Sequence, residues 1–446
     1  MRNRLLHKIR HLMSAALLAA LLPCGALAAP PVQQVAWRDM HAWLVSDDTL
    51  PLITVKMAWL GGSASETKAG VSMLMARLMN EGAGDLPAKQ FQQAMAGKAI
   101  SIGFNSELDE VTATLRCLKR YQQTCFSLLK MAVTAPRFDA EAVARMKGEQ
   151  RAAILRAQQS PGTLAARRFR QLAFPDHPYA RSVNGTLQQL DALSVDDIRA
   201  RYRAALARDN LRLAVVGDIS RAEVRRMMRD VFGGLPAQNS LTPPQDIIAA
   251  DGPQTAHIER AGPQTTIVFG HRGIGYDDPL FFPAFVMNSI LGGSGFSSRL
   301  TEQVREARGL AYGVYSYFSN NQHAALWRGS VASDNKTAQQ ALDVIRGEMQ
   351  RMAEGGVSAE RLASAKTYLT GAYALRFDSG SKIAGQLIGV QLMGLPIDYF
   401  TTRNQSINAV TVDDIKRAAQ TLLVDNLLVV SVGGTAVTLA PRAQTQ

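Results

Sequence analysis

Apolar and polar positions along the chain fall into a pattern that occurs twice. Leu193-Ser-Val-Asp-Asp-Ile198 opens an amphipathic stretch that yields at Asp209-Asn210 to an apolar run, Leu211 to Val216, closed by Gly217. Val410-Thr-Val-Asp-Asp-Ile415 does the same, with Asp425-Asn426, the run Leu427 to Val432, and Gly433. Ser194 and Thr411 suit helix N-caps, with acids in the first turn where the helix dipole favours them. Each block therefore predicts a capped helix feeding a buried strand. The offset is 217 residues at the Asp-Asp pair and 216 at the glycine. Earlier elements correspond as well. A strand over Ile53 to Leu60 precedes a helix from about Ala69 to Glu81 ended by Gly82, and a strand over Thr266 to Gly270 precedes a helix from about Pro279 to Leu291 ended by Gly292. The chain is read as one unit of about 210 residues used twice, a period far too long for a solenoid.

Between the copies, Pro236-Ala-Gln-Asn-Ser-Leu-Thr-Pro-Pro-Gln245 is polar, Pro-rich and without periodicity, as a linker would be. The predicted organisation is a first domain over 29–235, a linker over 236–255 and a second domain over 256–446. Alternating strands such as Val111 to Leu115 and Ala311 to Phe318 are mixed with long amphipathic helices such as Ala140 to Gln158. This predicts α+β, each domain a mainly antiparallel sheet covered by helices on one face.

Residues 1–28 stand apart. Arg2, Arg4, Lys8 and Arg10 precede the apolar run Leu12 to Leu22 and the small-residue exit Ala26-Leu27-Ala28, the form of a secretory signal peptide cleaved near Ala28. An uncleaved anchor is the alternative, and Pro23 and Gly25 interrupt it. The whole chain of 446 residues carries 49 Lys and Arg against 37 Asp and Glu, a net +12. Removing the four basic residues of the signal leaves 45 against 37, or +8. No basic-aromatic motif accompanies that charge, so peptides, a partner chain or a membrane surface fit it better than nucleic acid. Export leaves Cys117 and Cys125, eight apart, as either a local disulfide or two buried thiols.

Motifs for common chemistries are absent. His41, His177, His257, His271 and His323 include no pair at zinc spacing on a helix. Gly292-Gly-Ser-Gly-Phe-Ser-Ser298 lacks the Gly-Lys-Ser/Thr ending of a phosphate loop, and no Gly-x-Ser-x-Gly elbow occurs. One constellation remains: Leu300-Thr-Glu-Gln-Val-Arg305-Glu-Ala-Arg-Gly309-Leu-Ala-Tyr312-Gly-Val314 runs from a helix through a glycine stop into a strand. Arg305 near the helix end and Tyr312 near the strand start can face one crevice. A planar fork of donors beside a phenol suits a carbonyl, a carboxylate or an oxyanion. The alternative is a solvated Arg305 with Tyr312 packed on the sheet.

The two halves, Phe174-Pro-Asp-His-Pro-Tyr179, Asp209-Asn210 before Val215-Val-Gly-Asp218, and Gly295-Phe-Ser-Ser-Arg-Leu300 leading into Arg305 and Gly309-Leu-Ala-Tyr312 together resemble the insulinase/pitrilysin metallopeptidases over nearly the whole mature chain. The resemblance implies duplicated α+β domains in a clam-like shell around unfolded peptides. It also implies, in active members, an inverted His-x-x-Glu-His zinc motif on the first helix. Here that helix reads Gly70-Val-Ser-Met73-Leu-Met-Ala76-Arg77-Leu-Met79, with Met73 and Arg77 at the ligand positions and Ala76 at the general base. A thioether is a poor zinc ligand, Arg only donates, and Ala activates no water. Downstream, Glu149 matches a supporting acid, and Ala153-Ile-Leu-Arg156 offers no third carboxylate.

The family includes bacterial heterodimers in which one chain holds zinc and the other keeps an Arg/Tyr pair at positions matching Arg305 and Tyr312. The resemblance therefore implies a non-catalytic subunit of a periplasmic zinc endopeptidase, without cofactor of its own, whose zinc-bearing homologue is its partner. Arg305 would hold a substrate carbonyl or carboxylate, and Tyr312 would donate to the oxyanion formed at the partner's zinc. A structural or peptide-binding scaffold is the alternative, and an autonomous enzyme with unusual ligands a third. A substrate peptide is expected to add as a strand to an exposed sheet edge.

Overall fold

The computed structural model describes residues 30–250, 252–293, 298–424 and 426–439. The predicted signal peptide, part of the Gly292–Ser298 segment and Asp425 lie outside the described residues.

Among the described residues, eleven strands form the two large sheets, beside a two-stranded pairing of Gly82–Ala83 with Leu86–Pro87. The first contains β1 (Gln33–Trp37), β2 (Met40–Ser46), β3 (Leu52–Leu60), β4 (Ser101–Ser106), β5 (Glu110–Leu118) and β6 (Leu211–Gly217) in the order β1-β2-β6-β3-β5-β4. The second contains β7 (Gln254–Glu259), β8 (Gln264–Arg272), β9 (Ala311–Asn320), β10 (Ala325–Asp334) and β11 (Leu428–Gly433) in the order β9-β10-β8-β11-β7. Reading both orders from the same side, β4, β5, β3, β6 and β2 correspond to β9, β10, β8, β11 and β7. The pairing senses agree at every step, including the single parallel contact, β2 with β6 and β11 with β7. All other pairs are antiparallel, as the α+β reading requires.

The repeated capped blocks take the same form in both halves. Ser194 accepts from the Asp197 amide at 3.2 Å while Asp197 accepts from the Ser194 amide at 2.9 Å, opening helix Val195–Ala205. Thr411 and Asp414 repeat this at 3.1 and 2.8 Å before helix Val412–Leu422. In each block the terminal glycine has positive φ, 125° at Gly217 and 157° at Gly433. A Cβ at Gly217 would lie 1.9 Å from the Leu52 carbonyl oxygen, and one at Gly433 would lie 2.5 Å from the Thr265 Cα. Only glycine lets these strands close on their central neighbours.

Each sheet packs its own helices on one face, forming separate cores around Leu74, Leu115 and Val215 in the first half and Ile267, Leu291 and Val429 in the second. The other faces are covered by exchange. Helix Pro161–Ala173, from the first half, packs Ala165 and Phe169 against Val268, Val430 and Val432 of the second sheet. Helix Gly380–Leu392, from the second half, packs Ala384 and Leu387 against Ala58, Ala214 and Val216 of the first. Burying both faces of the central strands accounts for their nearly unbroken apolar runs. A polar clamp adds to the exchange. The Tyr179 hydroxyl donates to Asp109 at 2.5 Å and accepts from the His323 amide at 3.0 Å, while Asp109 accepts from the Gln322 amide at 2.9 Å. The Phe174–Tyr179 motif thus joins the halves.

Cys117 and Cys125 are disulfide-bonded, Cα to Cα 6.6 Å, linking the end of β5 to helix Gln122–Thr134.

Candidate functional site

The helix at the expected zinc position runs over Val71–Leu78, shorter at both ends than its pattern suggests. Its start is fixed by Gly70 at φ 88° and by Glu66, which accepts from the Gly70 amide at 2.6 Å and the Ser72 amide at 2.9 Å. Burial raises the Glu66 carboxyl, against the pull of those amides and of nearby Arg201. Arg201 spends its guanidinium on the carbonyls of Gly61, Gly62 and Ser65, and burial lowers it to about 10. Gln150, fully buried, donates to the carbonyls of Gly70 and Asn184, both at 3.0 Å. Glu66, Arg201 and Gln150 were not legible as a set, because Arg201 and Gln150 reach backbone carbonyls far along the chain, at Gly61, Gly62, Ser65 and Gly70. The one sequence signal is a Gly61-Gly62 pair directly after a buried strand.

Met73 and Ala76 are buried on this helix, Ala76 completely, and Met73 lies at 6% exposure. Arg77 extends toward Glu149, Nη1 to Oε2 3.9 Å, while its Nε is buried without a hydrogen-bond partner among the described residues. A zinc ion does not fit this donor set: a packed thioether, a methyl and a cation occupy the positions that would need two imidazoles and a carboxylate. Among the described residues no group of three His, Cys, Asp or Glu side chains is close enough to hold a metal.

Arg305 and Tyr312 are brought together. Arg305 lies in the last turn of a widened helical segment, Thr301–Glu306, whose Ala307 amide reaches back to the Glu302 carbonyl at 2.8 Å. Gly309, at φ 61°, donates to the Arg305 carbonyl at 3.0 Å, and the Leu310 amide reaches Val304 at 2.8 Å, so the chain reverses sharply into β9. The Arg305 guanidinium carbon sits 5.0 Å from the centre of the Tyr312 ring, within cation–π distance.

The strand explains why the phenol is available. By simple alternation Tyr312 would share the core-facing side with Val314 and Ser316, which are 5% and 3% exposed. Instead Tyr312 is 85% exposed. Ala311 pairs with Ser333 and Val314 with Val331, so β9 spends one residue more than β10 across this interval. That bulge breaks the parity and turns Tyr312 outward. The alternative reading, with Tyr312 packed on the sheet, is not what the fold adopts, for this reason. Beyond the bulge, Tyr315 and Tyr317 stack at 6.0 Å between centroids on the solvent side, and Arg328 lies 4.9 Å from the Tyr317 ring. β9 is an edge strand, so this aromatic and cationic strip borders an open flank of the sheet. Tyr315 and Tyr317 escaped the sequence reading, although their two-residue spacing on a predicted strand was the available signal.

A family model described as the peptidase M16 inactive domain matches residues 192–369, a span that includes Arg305 and Tyr312. The chain is similar to the non-peptidase homolog YmxG of Helicobacter pylori, 26% identical over 374 residues, covering 82% of this chain and 85% of that protein. Among solved structures it is similar to an inactive peptidase M16 domain from Pseudomonas fluorescens, with a TM-score of 0.85 and 27% identity over 92% of this chain and 100% of that one. A protease from Helicobacter pylori has the same fold, with a TM-score of 0.82 at 17% identity over 90% of this chain and 99% of that chain.

Proposed function

We propose, from the premise that this chain belongs to the inactive branch of the insulinase-type M16 peptidase family, that it is the non-catalytic subunit of a periplasmic zinc endopeptidase heterodimer. The observation that carries the proposal is a contrast within one chain. The helix that would hold zinc is packed shut with Met73, Ala76 and Arg77, while Tyr312 is held outward by a bulge with the Arg305 guanidinium over its ring.

In this reading a zinc-bearing homologue of this chain binds the metal, and Arg305 and Tyr312 face its site. The guanidinium holds a substrate carbonyl or carboxylate and the phenol donates to the oxyanion, a contribution of roughly 10²- to 10³-fold for a single well-placed donor. The substrate backbone pairs with a sheet edge, where affinity comes from main-chain hydrogen bonds and demands little sequence. The Lys and Arg excess and the signal-like residues 1–28 support a secreted chain near anionic membrane, and the Cys117–Cys125 disulfide suits an oxidising compartment.

Reconstitution tests the proposal. The purified chain should bind no stoichiometric zinc and cleave no peptide, and chelator-sensitive cleavage should arise on mixing with a zinc-bearing homologue co-purified from periplasm. Chelator-sensitive proteolysis by the isolated chain would overturn it.

A further inference from the structure

A cavity of about 540 Å³ opens beside β9, enclosed by helices Phe281–Gly292, Ala359–Gly371, Gly380–Leu392 and Tyr399–Ala409. Its walls are aromatic: Tyr276 and Phe281 lie 4.7 Å apart between centroids, Phe281 and Phe285 stack at 6.2 Å, and Tyr373 and Tyr399 complete the enclosure. Among the described residues, the charged side chains lining it are Arg376 and Arg403, and no carboxylate lines it. Arg403 is 6% exposed, with its guanidinium carbon 4.1 Å from the centre of the Tyr373 ring. One of its nitrogens donates to the Asn404 side-chain oxygen at 2.9 Å and to the Leu369 carbonyl at 3.4 Å, both neutral acceptors. Tyr373 is equally buried, and its hydroxyl has no hydrogen-bond partner among the described residues. Burial pushes that phenol up to about 12, so it is a neutral donor.

Each of these features is costly in an apo protein. A buried hydroxyl without an acceptor pays its full desolvation, and a buried guanidinium without a counter-ion pays more. Both deficits are met by one group, an anion that accepts hydrogen bonds, and the surrounding rings favour an apolar body attached to it. A second cavity shares Tyr276, Gly389 and Met393 with the first and is lined instead by Glu107, Asp109, Glu110 and Asp277. The field between the two drives a carboxylate toward the arginines and away from the acids.

We propose that the aromatic cavity binds the C-terminal residue of a peptide, an aromatic or large apolar side chain between the rings, with its free carboxylate at Arg403 and Arg376 and accepting from the Tyr373 hydroxyl. The proposal rests on the reading of this chain as a peptide-handling subunit and names the end of the peptide it would grip. Its position beside the edge strand places that end next to the flank where a peptide backbone can pair.

The test uses the isolated purified chain, without any zinc-bearing partner, so its outcome is independent of reconstitution. Binding of a fluorescein-labelled octapeptide ending in Leu-Phe is followed by anisotropy, in its free-acid and C-terminal amide forms, with N-acetylphenylalanine as competitor. The acid should bind about 10-fold or more tighter than the amide, as expected when a charge-assisted contact is lost. Arg376→Gln, at an exposed position, and Tyr373→Phe, which keeps the ring, should each weaken the acid by about 3- to 10-fold and narrow the gap to the amide, with unchanged circular dichroism melting. Equal affinity for acid and amide, no binding of either, or an acid preference untouched in both variants would overturn the proposal. Direct binding of N-acetylphenylalanine, read by titration calorimetry, without any peptide binding would overturn the peptide assignment in favour of a free aromatic acid.

Discussion

The two halves share a strand order and a pairing pattern, yet they treat their candidate chemical positions in opposite ways. In the first half, the helix after the central strand turns Met73 and Ala76 into core, and Glu66, Arg201 and Gln150 are all committed to holding loops around its N-terminus. In the second half, the strand β9 departs from regular pairing to keep Tyr312 in solvent beside Arg305. Core positions are explained by packing alone. An exposed tyrosine that requires a bulge is not, because the regular strand would have buried its ring and gained that area. A departure from the cheapest local structure therefore points to function more firmly than occupancy of a motif position does.

The sharpest way to break this contrast is to alter the exposed pair in the reconstituted enzyme. Arg305→Ala should lower kcat by about 10²- to 10³-fold and Tyr312→Phe by about 10- to 100-fold. Thermal unfolding of the Tyr312→Phe chain should be unchanged, since its ring is 85% exposed. Cleavage at wild-type rates by both variants would leave the second half no more functional than the first, and would favour a scaffold.

The complementary experiment attacks the first half. Ala76→Glu restores the general-base residue type at a completely buried position in the first core. It should destabilise the chain by about 2–4 kcal/mol through an unpaired buried carboxyl and overpacking, measured by urea unfolding. Native stability with newly gained zinc affinity would mean that the helix is an open site rather than a packed one.

These outcomes also mark what the sequence could and could not tell. The capped blocks at Ser194 and Thr411 were legible because their determinants are local: a hydroxyl, an acid three residues on, and an apolar run. Arg305 and Tyr312 were legible as residue types at a helix-to-strand turn. The exposure of Tyr312 was not, because a bulge is a property of pairing with Ser333 and Val331, far along the chain. Nor was the helix exchange. Amphipathic patterning shows that helices Pro161–Ala173 and Gly380–Leu392 have apolar faces, but not that each buries its face on the other half's sheet. The aromatic cavity, assembled from residues 276 to 403, is tertiary for the same reason.

A smaller effect distinguishes equivalent strand starts. Leu60, the last residue of β3, pairs with Glu110, and Arg272, the last of β8, pairs with Leu326. Leu326 is an ordinary core residue at 1% exposure. Glu110 is raised to about 7, first by burial and then by the neighbouring Asp109 and Glu107 carboxylates. Its folded pKa lies above its unfolded one, so the native state binds the extra proton between about pH 4.5 and 7. This group's contribution to stability is fully present below that window and is lost as pH rises through it, on the order of 2–3 kcal/mol. Glu110→Gln should flatten the slope of stability against pH in this window, while Leu326→Val should shift stability without changing the slope. A slope unaffected by Glu110→Gln would remove this asymmetry between the halves.

The smallest effect tests where the halves should be alike. Ser194→Ala and Thr411→Ala each delete a capping oxygen that accepts an amide at the third helical position, in boxes whose geometry agrees within 0.1 Å at both reciprocal bonds. Each should cost about 1 kcal/mol. Asp197 is held at about 2, chiefly by the hydrogen bond from Lys68, whereas Asp414 is lowered chiefly by its own capping hydroxyl, with Arg417 nearby. Both carboxylates sit below their unfolded values, so their stabilisation is present above about pH 4 and is lost as pH falls below it, for Asp197 toward 2. Lys68→Met removes the chief cause of the Asp197 shift, so it should lower stability above about pH 4 and flatten the loss of stability on acidification, through the first block alone. Equal acid sensitivity of the Lys68→Met and wild-type chains would show that the boxes alone hold both acids down, making the two blocks equivalent in energy as well as in geometry.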